Sequence, residues 1–421
     1  MSVQLLVASH AAGKGTEADA VFSILKEANA AIARLGKDKV VNASIGAIYD
    51  EEENFVTLSA VEDYFRRLPA AELMNYAPIA GLPEFHAAVL EQTFQGFQPD
   101  NTYAKAIATP GGTGAVRHVI YNYLEQGQKV LIPDWAWGPY RTIAAEHSRG
   151  IETYCLFDEE YRFNLASIKE KIEELLALQD HVVIIFNTPA HNPTGYSITL
   201  AEWRKLVELF KDCAADPKKK IIPLIDLAYL DYAGTSEETR GFMKLFSELP
   251  ENILVTMAYS MSKSFLIYGL RSGALVGLSS SEAVIEEFYR VNVCSNRGVW
   301  SNGTRCAQRL LADVAKNPAL KTKIDEERAF YSRLLFERAN LFLQEAAEVG
   351  LQLMPYHSGF FITVPAANPR ALAAKLMQEQ IYAVPLKKGV RFALCAVPTH
   401  KISGMPTKIR QALGKDNIPQ V

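Results

Sequence analysis

Residues 181–195 read HVVIIFNTPAHNPTG. A continuous apolar run rich in β-branched side chains stops at Asn187 and continues through turn residues to Gly195. A strand that is apolar at every position, not at alternate ones, is buried on both faces, as in a parallel sheet. The pattern recurs at KVLIP (129–133), KIIPLID (220–226), NILVTMAYS (252–260) and GALVGLS (273–279). Between these runs lie helical patterns at LASIKEKIEELLALQ (165–179) and TLAEWRKLVELFKDCAA (199–215). The second opens on Thr199 with Glu202 three residues later, the signature of a capping box. The alternation predicts an α/β fold, with a large domain built on a mostly parallel sheet flanked by helices.

Beyond residue 300 the texture changes. A charged, helix-like stretch covers about 304–349, followed by LQLMPYHSGFFITVP (351–365), a helix candidate at 371–380 and GVRFALCAV (389–397). These predict a smaller α+β domain. The first fifty residues, with a helix over about 17–36 and a turn at NASIGAIYD (42–50), are expected to pack with it. The expected divisions are 1–50 for the N-terminal segment, 51–303 for the large domain, and 304–421 for the long helix and small domain.

The chain has 421 residues, enough for two or three domains, with 49% hydrophobic and 22% charged residues. A net charge of -3 and the absence of a polybasic run argue against nucleic acid or a membrane surface as partner. The N-terminus lacks the basic start of a signal peptide, and no run is long enough to span a membrane. Five scattered cysteines without a CxxC pair indicate neither a disulfide framework nor zinc, and a reducing cytoplasm is expected. No histidine spacing suggests a metal site.

In open α/β sheets ligands sit beyond the carboxyl ends of the strands. After HVVIIF comes Asn187 and then His191-Asn192-Pro193-Thr194-Gly195. After KIIPLI comes Asp226, with Tyr229 three residues on. After NILVTMA come Tyr259, Ser260, Ser262 and Lys263, and after KVLIP come Asp134, Trp135 and Trp137. Upstream, TPGGTGAVRHVIYNYL (109–124) is a glycine-rich turn into a helix. Free amides at such a helix start suit a phosphate, although alone the turn reads equally as plain structure.

These stretches join others in a fixed order: NASIGAIYD (42–50), NYAPIAGLPEF (75–85), GGTGAVR (111–117), DWAWG (134–138), AHNPTG (190–195), DLAY (226–229), SMSKSFLIYGLRSGAL (260–275), RGVWSN (297–302) and GVRFAL (389–394). The series resembles fold-type I, pyridoxal-phosphate-dependent aminotransferases of the aspartate/aromatic kind (class I/II). The resemblance implies that Lys263 forms a Schiff base with the cofactor and moves the substrate proton, with Asp226 and Tyr229 as its catalytic companions. It implies cofactor contacts from Gly112, Thr113, Ser260 and Arg271 at the phosphate and from Trp137 on the ring face. Asn192 and Tyr229 would serve the ring oxygen, and Asp226 the pyridine nitrogen. Gly111 stands where a serine is often found. Tyr76 and Ser301 would reach the phosphate of a second subunit, which implies a homodimer with shared sites. Arg391 would take the substrate carboxylate, a task suited to a planar guanidinium. Gly46 would leave room for that carboxylate, and Phe361 would form the pocket wall or simply pack.

Arg297 aligns with the arginine that reads a second substrate carboxylate, although Trp300 stands where a tyrosine is more usual. A plain surface arginine is the competing reading. The implied reaction is transamination between an amino acid, aspartate or glutamate or an aromatic one, and a 2-oxo acid such as 2-oxoglutarate. A β-lyase or aspartate β-decarboxylase would share the same lysine, aspartate and arginine. A cofactor-sensing regulator would need a DNA-binding segment, and the short N-terminus shows none.

Overall fold

The computed structural model describes residues 6–16 and 19–414. Residues 17 and 18 of the expected first helix, and both chain ends, lie outside the described residues. Eleven strands run through them: β1 Val41–Ala43, β2 Tyr103–Thr109, β3 Lys129–Pro133, β4 Gly150–Tyr154, β5 His181–Asn187, β6 Lys220–Asp226, β7 Val255–Ser260, β8 Gly273–Ser279, β9 Phe361–Pro365, β10 Ile381–Pro385 and β11 Gly389–Ala393.

Seven strands form the large sheet in the order β2-β8-β7-β6-β5-β3-β4. Strands β3 to β7 are mutually parallel, and only β8 opposes its neighbours. The sheet is buried on both faces, as its continuous apolar strands require. Val182, Ile184 and Phe186 of β5 enter one core, while Val183 and Ile185 enter the other. Each such side chain fully removed from water contributes about 1.5–3 kcal/mol. The helix over Leu200–Cys213 packs Trp203, Leu206 and Phe210 into the first core, and Thr199 and Glu202 close its capping box reciprocally.

The reversed direction of β8 matters for function. Residues just before β8 lie at the same edge as residues just after β5, β6 and β7. Arg271 thus comes beside Lys263, since Gly273 pairs with Ser260. The order reverses between β3 and β5, the switch point where open α/β sheets form a crevice.

The small domain carries the sheet β1-β10-β11-β9. Its N-terminal contribution is direct: β1 pairs in parallel with β10, and the helix Ala20–Leu35 buries Ala28 and Ala31 against Tyr382. Arg338, fully buried on the long helix Pro318–Glu348, donates to Glu51 and to the Cys395 carbonyl. This ties the segment after β1 to the small domain. Four strands, β1, β2, β4 and β10, fall outside the apolar runs that mark strands in the sequence. The charged stretch 304–349 is two helices, Arg305–Lys316 and Pro318–Glu348.

Candidate active site

The strand ends converge on a cavity of about 210 Å³ lined by Gly112, Thr113, Trp137, Asn187, Asn192, Asp226, Ala228, Tyr229, Ser260, Ser262, Lys263 and Arg271. A larger hollow of about 1190 Å³ between Phe97, Phe242 and Phe336 holds none of these groups.

Lys263 sits in the four-residue helix that follows β7, held by Ser260, whose hydroxyl accepts from the Ser262 amide at 3.3 Å. Its Nζ lies 4.8 Å from the ring centre of Tyr268 and 6.0 Å from that of Tyr229. No hydrogen-bond acceptor among the described residues engages it. Burial pushes its pKa down to about 8, with Arg271 and Arg391 adding repulsion and Asp226 opposing. A lysine so placed is a nucleophilic amine at mild pH.

Asp226 ends β6, level with Asn187 on β5. Burial raises its pKa, while Tyr140 and the Ala228 amide oppose the rise as hydrogen-bond donors. The Tyr140 hydroxyl donates to Asp226 Oδ2 at 2.6 Å, and Ala228 N–H donates to Oδ1 at 3.2 Å. Such a carboxyl favours its ionised form when a cation arrives beside it.

A second chain of contacts links the ring region to the small domain. Asn187 Oδ1 accepts the Asn192 amide at 2.7 Å. Asn192 Nδ2 donates to Tyr229 Oη at 3.3 Å, and its Oδ1 accepts from Arg391 Nη1 at 3.0 Å. Arg391 Nη2 donates to the Ser44 carbonyl at 2.9 Å, and its guanidinium lies 4.3 Å above the Phe361 ring. Its Nε is buried without a partner. A buried donor left unpaired is costly, which points to an anion that completes this site.

At the opposite end Arg271 donates to the Ser262 hydroxyl and the Tyr268 carbonyl, each at 3.0 Å. The helix Gly111–Asn122 begins here with no side-chain cap on its first amides. Gly111 adopts φ +66°, and a Cβ there would come within 2.7 Å of Arg271 Nη2. A glycine lets the loop close against the cation.

The structure brings together most of the expected residues. Trp137 lines the cavity, edge-on to Tyr140 at 5.3 Å. Gly46 leaves its space to Phe361, since a Cβ there would lie 2.6 Å from the ring's Cζ. His191 is buried, bonded to Thr194 Oγ1 at 2.9 Å, and burial lowers its pKa to about 4. Six expected residues are not part of the cavity lining: Arg391, Phe361 and Gly46 adjoin it through the Arg391 bond to Asn192, and Tyr76, Arg297 and Ser301 stand away from it. Arg297 Nη1 donates to Ser301 Oγ at 2.7 Å on the surface. Residues not foreseen are Tyr140, Tyr268, whose hydroxyl accepts the Ile48 amide at 3.1 Å, and Ser44.

Pyridoxal phosphate asks for an amine, an acid facing a pyridine nitrogen, a flat wall, and a phosphate cradle. Lys263, Asp226, Trp137 and the group Gly112, Thr113, Ser260, Ser262 and Arg271 fit these demands.

The profile of the family Aminotransferase class I and II matches residues 38–403. The aspartate aminotransferase of Escherichia coli (strain K12) is 25% identical over 316 residues, 74% of this chain and 77% of that protein. The aromatic-amino-acid aminotransferase of Paracoccus denitrificans is 28% identical over 287 residues, 67% and 69% of the two chains. The crystal structure of an aminotransferase from Anaerococcus prevotii matches with a TM-score of 0.95 at 36% identity, covering 98% of this chain and all of that one. An aromatic-amino-acid aminotransferase from Burkholderia pseudomallei, covalently bound to pyridoxal phosphate, shares the fold at TM-score 0.78 and 22% identity, covering 97% of this chain and 100% of that one. Over nearly its whole length, then, the chain belongs to the class I and II aminotransferases, which are pyridoxal-phosphate-dependent enzymes.

Proposed function

We propose that this aminotransferase acts on dicarboxylic amino acids, aspartate or glutamate, and also on aromatic ones, with a 2-oxo acid such as 2-oxoglutarate as acceptor. The observation that carries the amino-acid part of this reading is the buried Arg391, fixed by Asn192 and Ser44 and left with an unpaired Nε. A substrate α-carboxylate completes its bonding.

Bound pyridoxal phosphate supplies an electron sink. The protein does the rest. Arg391 orients the substrate by its carboxylate. Asp226 holds a proton on the pyridine nitrogen, and Tyr140 holds Asp226. Asn192 and Tyr229 serve the ring oxygen. Gly112, Thr113, Ser260 and Arg271 hold the phosphate. Lys263 Nζ would take up the proton released from the substrate α-carbon and hold it for return.

Lys263 gives this scheme a pH signature. Its folded pKa is lowered to about 8, so the reactive neutral amine forms as pH rises through that value. Capture of pyridoxal phosphate by the apoprotein should therefore accelerate about tenfold per pH unit below this point and level off above it. Stopped-flow absorbance measures it, and a plateau reached only near the ordinary lysine value of about 10.4 would contradict the reading.

Substrate class rests on Arg297. It is exposed at the end of the helix Glu282–Val299, outside its own chain's cavity, and its recorded contact is with Ser301. Arg305, close by in sequence, is instead paired with Glu72. An exposed guanidinium with no carboxylate partner among the described residues suits a neighbouring subunit's site, which supports a homodimer with shared sites. The relatives named aspartate and aromatic-amino-acid aminotransferases support both substrate classes. Arg297→Leu should lower kcat/KM for aspartate by roughly 100-fold, the scale of a lost charge-assisted contact. Phenylalanine should change little. Equal losses for the two substrates would remove Arg297 from the specificity role. Product analysis with aspartate also separates a β-decarboxylase, which would release alanine and carbon dioxide without needing a 2-oxo acid.

Among the described residues no helix is long and apolar enough to cross a membrane. We place the enzyme in the cytoplasm, where its cysteines, free among the described residues, remain reduced.

A further inference from the structure

The loop over residues 75–82 has an unusual division of labour. Its backbone is fastened at several points. The Ile79 carbonyl accepts from Asn296 at 2.8 Å, and the Ala80 carbonyl accepts the Ala108 amide at 2.8 Å. The Leu82 amide donates to Gln308 Oε1 at 2.9 Å. The Tyr76 carbonyl accepts from Arg305 Nη1 at 3.2 Å. Yet the Tyr76 side chain is 80% exposed, and neighbouring Met74 is equally so.

Arg305 is placed at a cost. It is the first residue of the helix Arg305–Lys316, where a cation opposes the helix dipole. It is retained there by Glu72, which accepts from Nε and from Nη2, both at 3.0 Å. This two-pronged pairing fixes the plane of the guanidinium and leaves Nη1 aimed at Tyr76. A lysine could not do both. A backbone held this firmly, carrying a ring left 80% exposed, is preorganised for something outside the chain.

We propose that Arg305, clamped by Glu72, is a positioning residue that fixes Tyr76 so that its hydroxyl reaches the phosphate end of the cofactor site in a second copy of the chain. The inference rests on the reading of Tyr76 as a donor to the other subunit's site. Arg305 does not touch the cofactor and acts only through the Tyr76 backbone.

The test is a double-mutant cycle on the full-length holoenzyme, reading equilibrium affinity for pyridoxal phosphate, with sedimentation velocity as a check on assembly. Tyr76→Phe should weaken cofactor binding about tenfold, as for one hydrogen bond to a charged group. Arg305→Lys should weaken it by about threefold to tenfold, since it keeps a cation for Glu72 but gives up the third contact. Glu72→Gln, isosteric and milder, should act in the same direction. In a Tyr76→Phe background neither change should weaken binding further, because the hydroxyl they position is gone. Additive losses would overturn the proposal, as would Arg305 and Glu72 variants with unchanged affinity beside a weakened Tyr76→Phe. Loss of the dimer in the Arg305 and Glu72 variants would make Arg305 an interface strut and overturn it too. A silent Tyr76→Phe would instead remove the reading of Tyr76, and the inference with it.

Discussion

Lys263→Ala is expected to abolish the absorbance of covalently held cofactor and to lower turnover by about 10⁴-fold or more, the upper range for losing a positioned general base. The reason is geometric. Lys263 Nζ is the amine in the cavity, with the rings of Tyr229 and Tyr268 beside it and Arg271 close by at the phosphate end. Among the described residues no other lysine lines that space. The phosphate cradle is untouched by the change, so the variant should still bind pyridoxal phosphate, but reversibly and without the shifted absorbance. Spectra of the dialysed protein and single-turnover assays measure both effects. A variant that retained covalent absorbance would show that another amine does the work.

Asp226→Asn should produce the second largest loss, about 10²–10³-fold in kcat, as expected when one partner of a buried charge pair is removed. Asparagine keeps the shape and can still bond Tyr140, but it cannot hold a proton on the pyridine nitrogen. Covalent attachment at Lys263 should survive, which separates this variant from Lys263→Ala. Stability should move the other way. Burial raises the Asp226 pKa in the folded apoprotein, so the folded state binds more protons than the unfolded state as pH climbs past the ordinary carboxyl range. An acid with that sign costs stability at neutral pH. The Asp226→Asn apoprotein should therefore melt at the same temperature as the parent or higher, while activity collapses. A lower melting temperature would mean that Asp226 is a structural anchor.

Much of this architecture is legible in the sequence. β5 and β6 are apolar throughout their interiors, and each ends in a residue that lines the cavity, Asn187 and Asp226. What stayed hidden has physical reasons. β2 reads YAKAIAT, in which alanine and lysine dilute the apolar run, and β4 reads GIETY at a sheet edge where only Tyr154 is buried. The direction of β8 left no mark because a strand covered on both faces is apolar whichever way it runs. Reversing it is what carries Arg271 to Lys263. Tyr140 stands at the start of the helix Pro139–Glu146, and no sequence pattern marks its hydroxyl as the partner of Asp226. The Arg391 partner at Ser44 is a backbone carbonyl nearly 350 positions away, and no side-chain pattern announces such a bond. Arg297 and Arg305 are eight residues apart, and only their contacts distinguish a guanidinium bonded to the Ser301 hydroxyl from one held by Glu72.

The most direct test of the central claim is reductive trapping. Borohydride treatment of the holoenzyme, followed by digestion and peptide mass spectrometry, should find the pyridoxyl group on Lys263 and on no other lysine. A pyridoxyl group on a different lysine, or none at all in protein that turns over amino acids, would contradict the account.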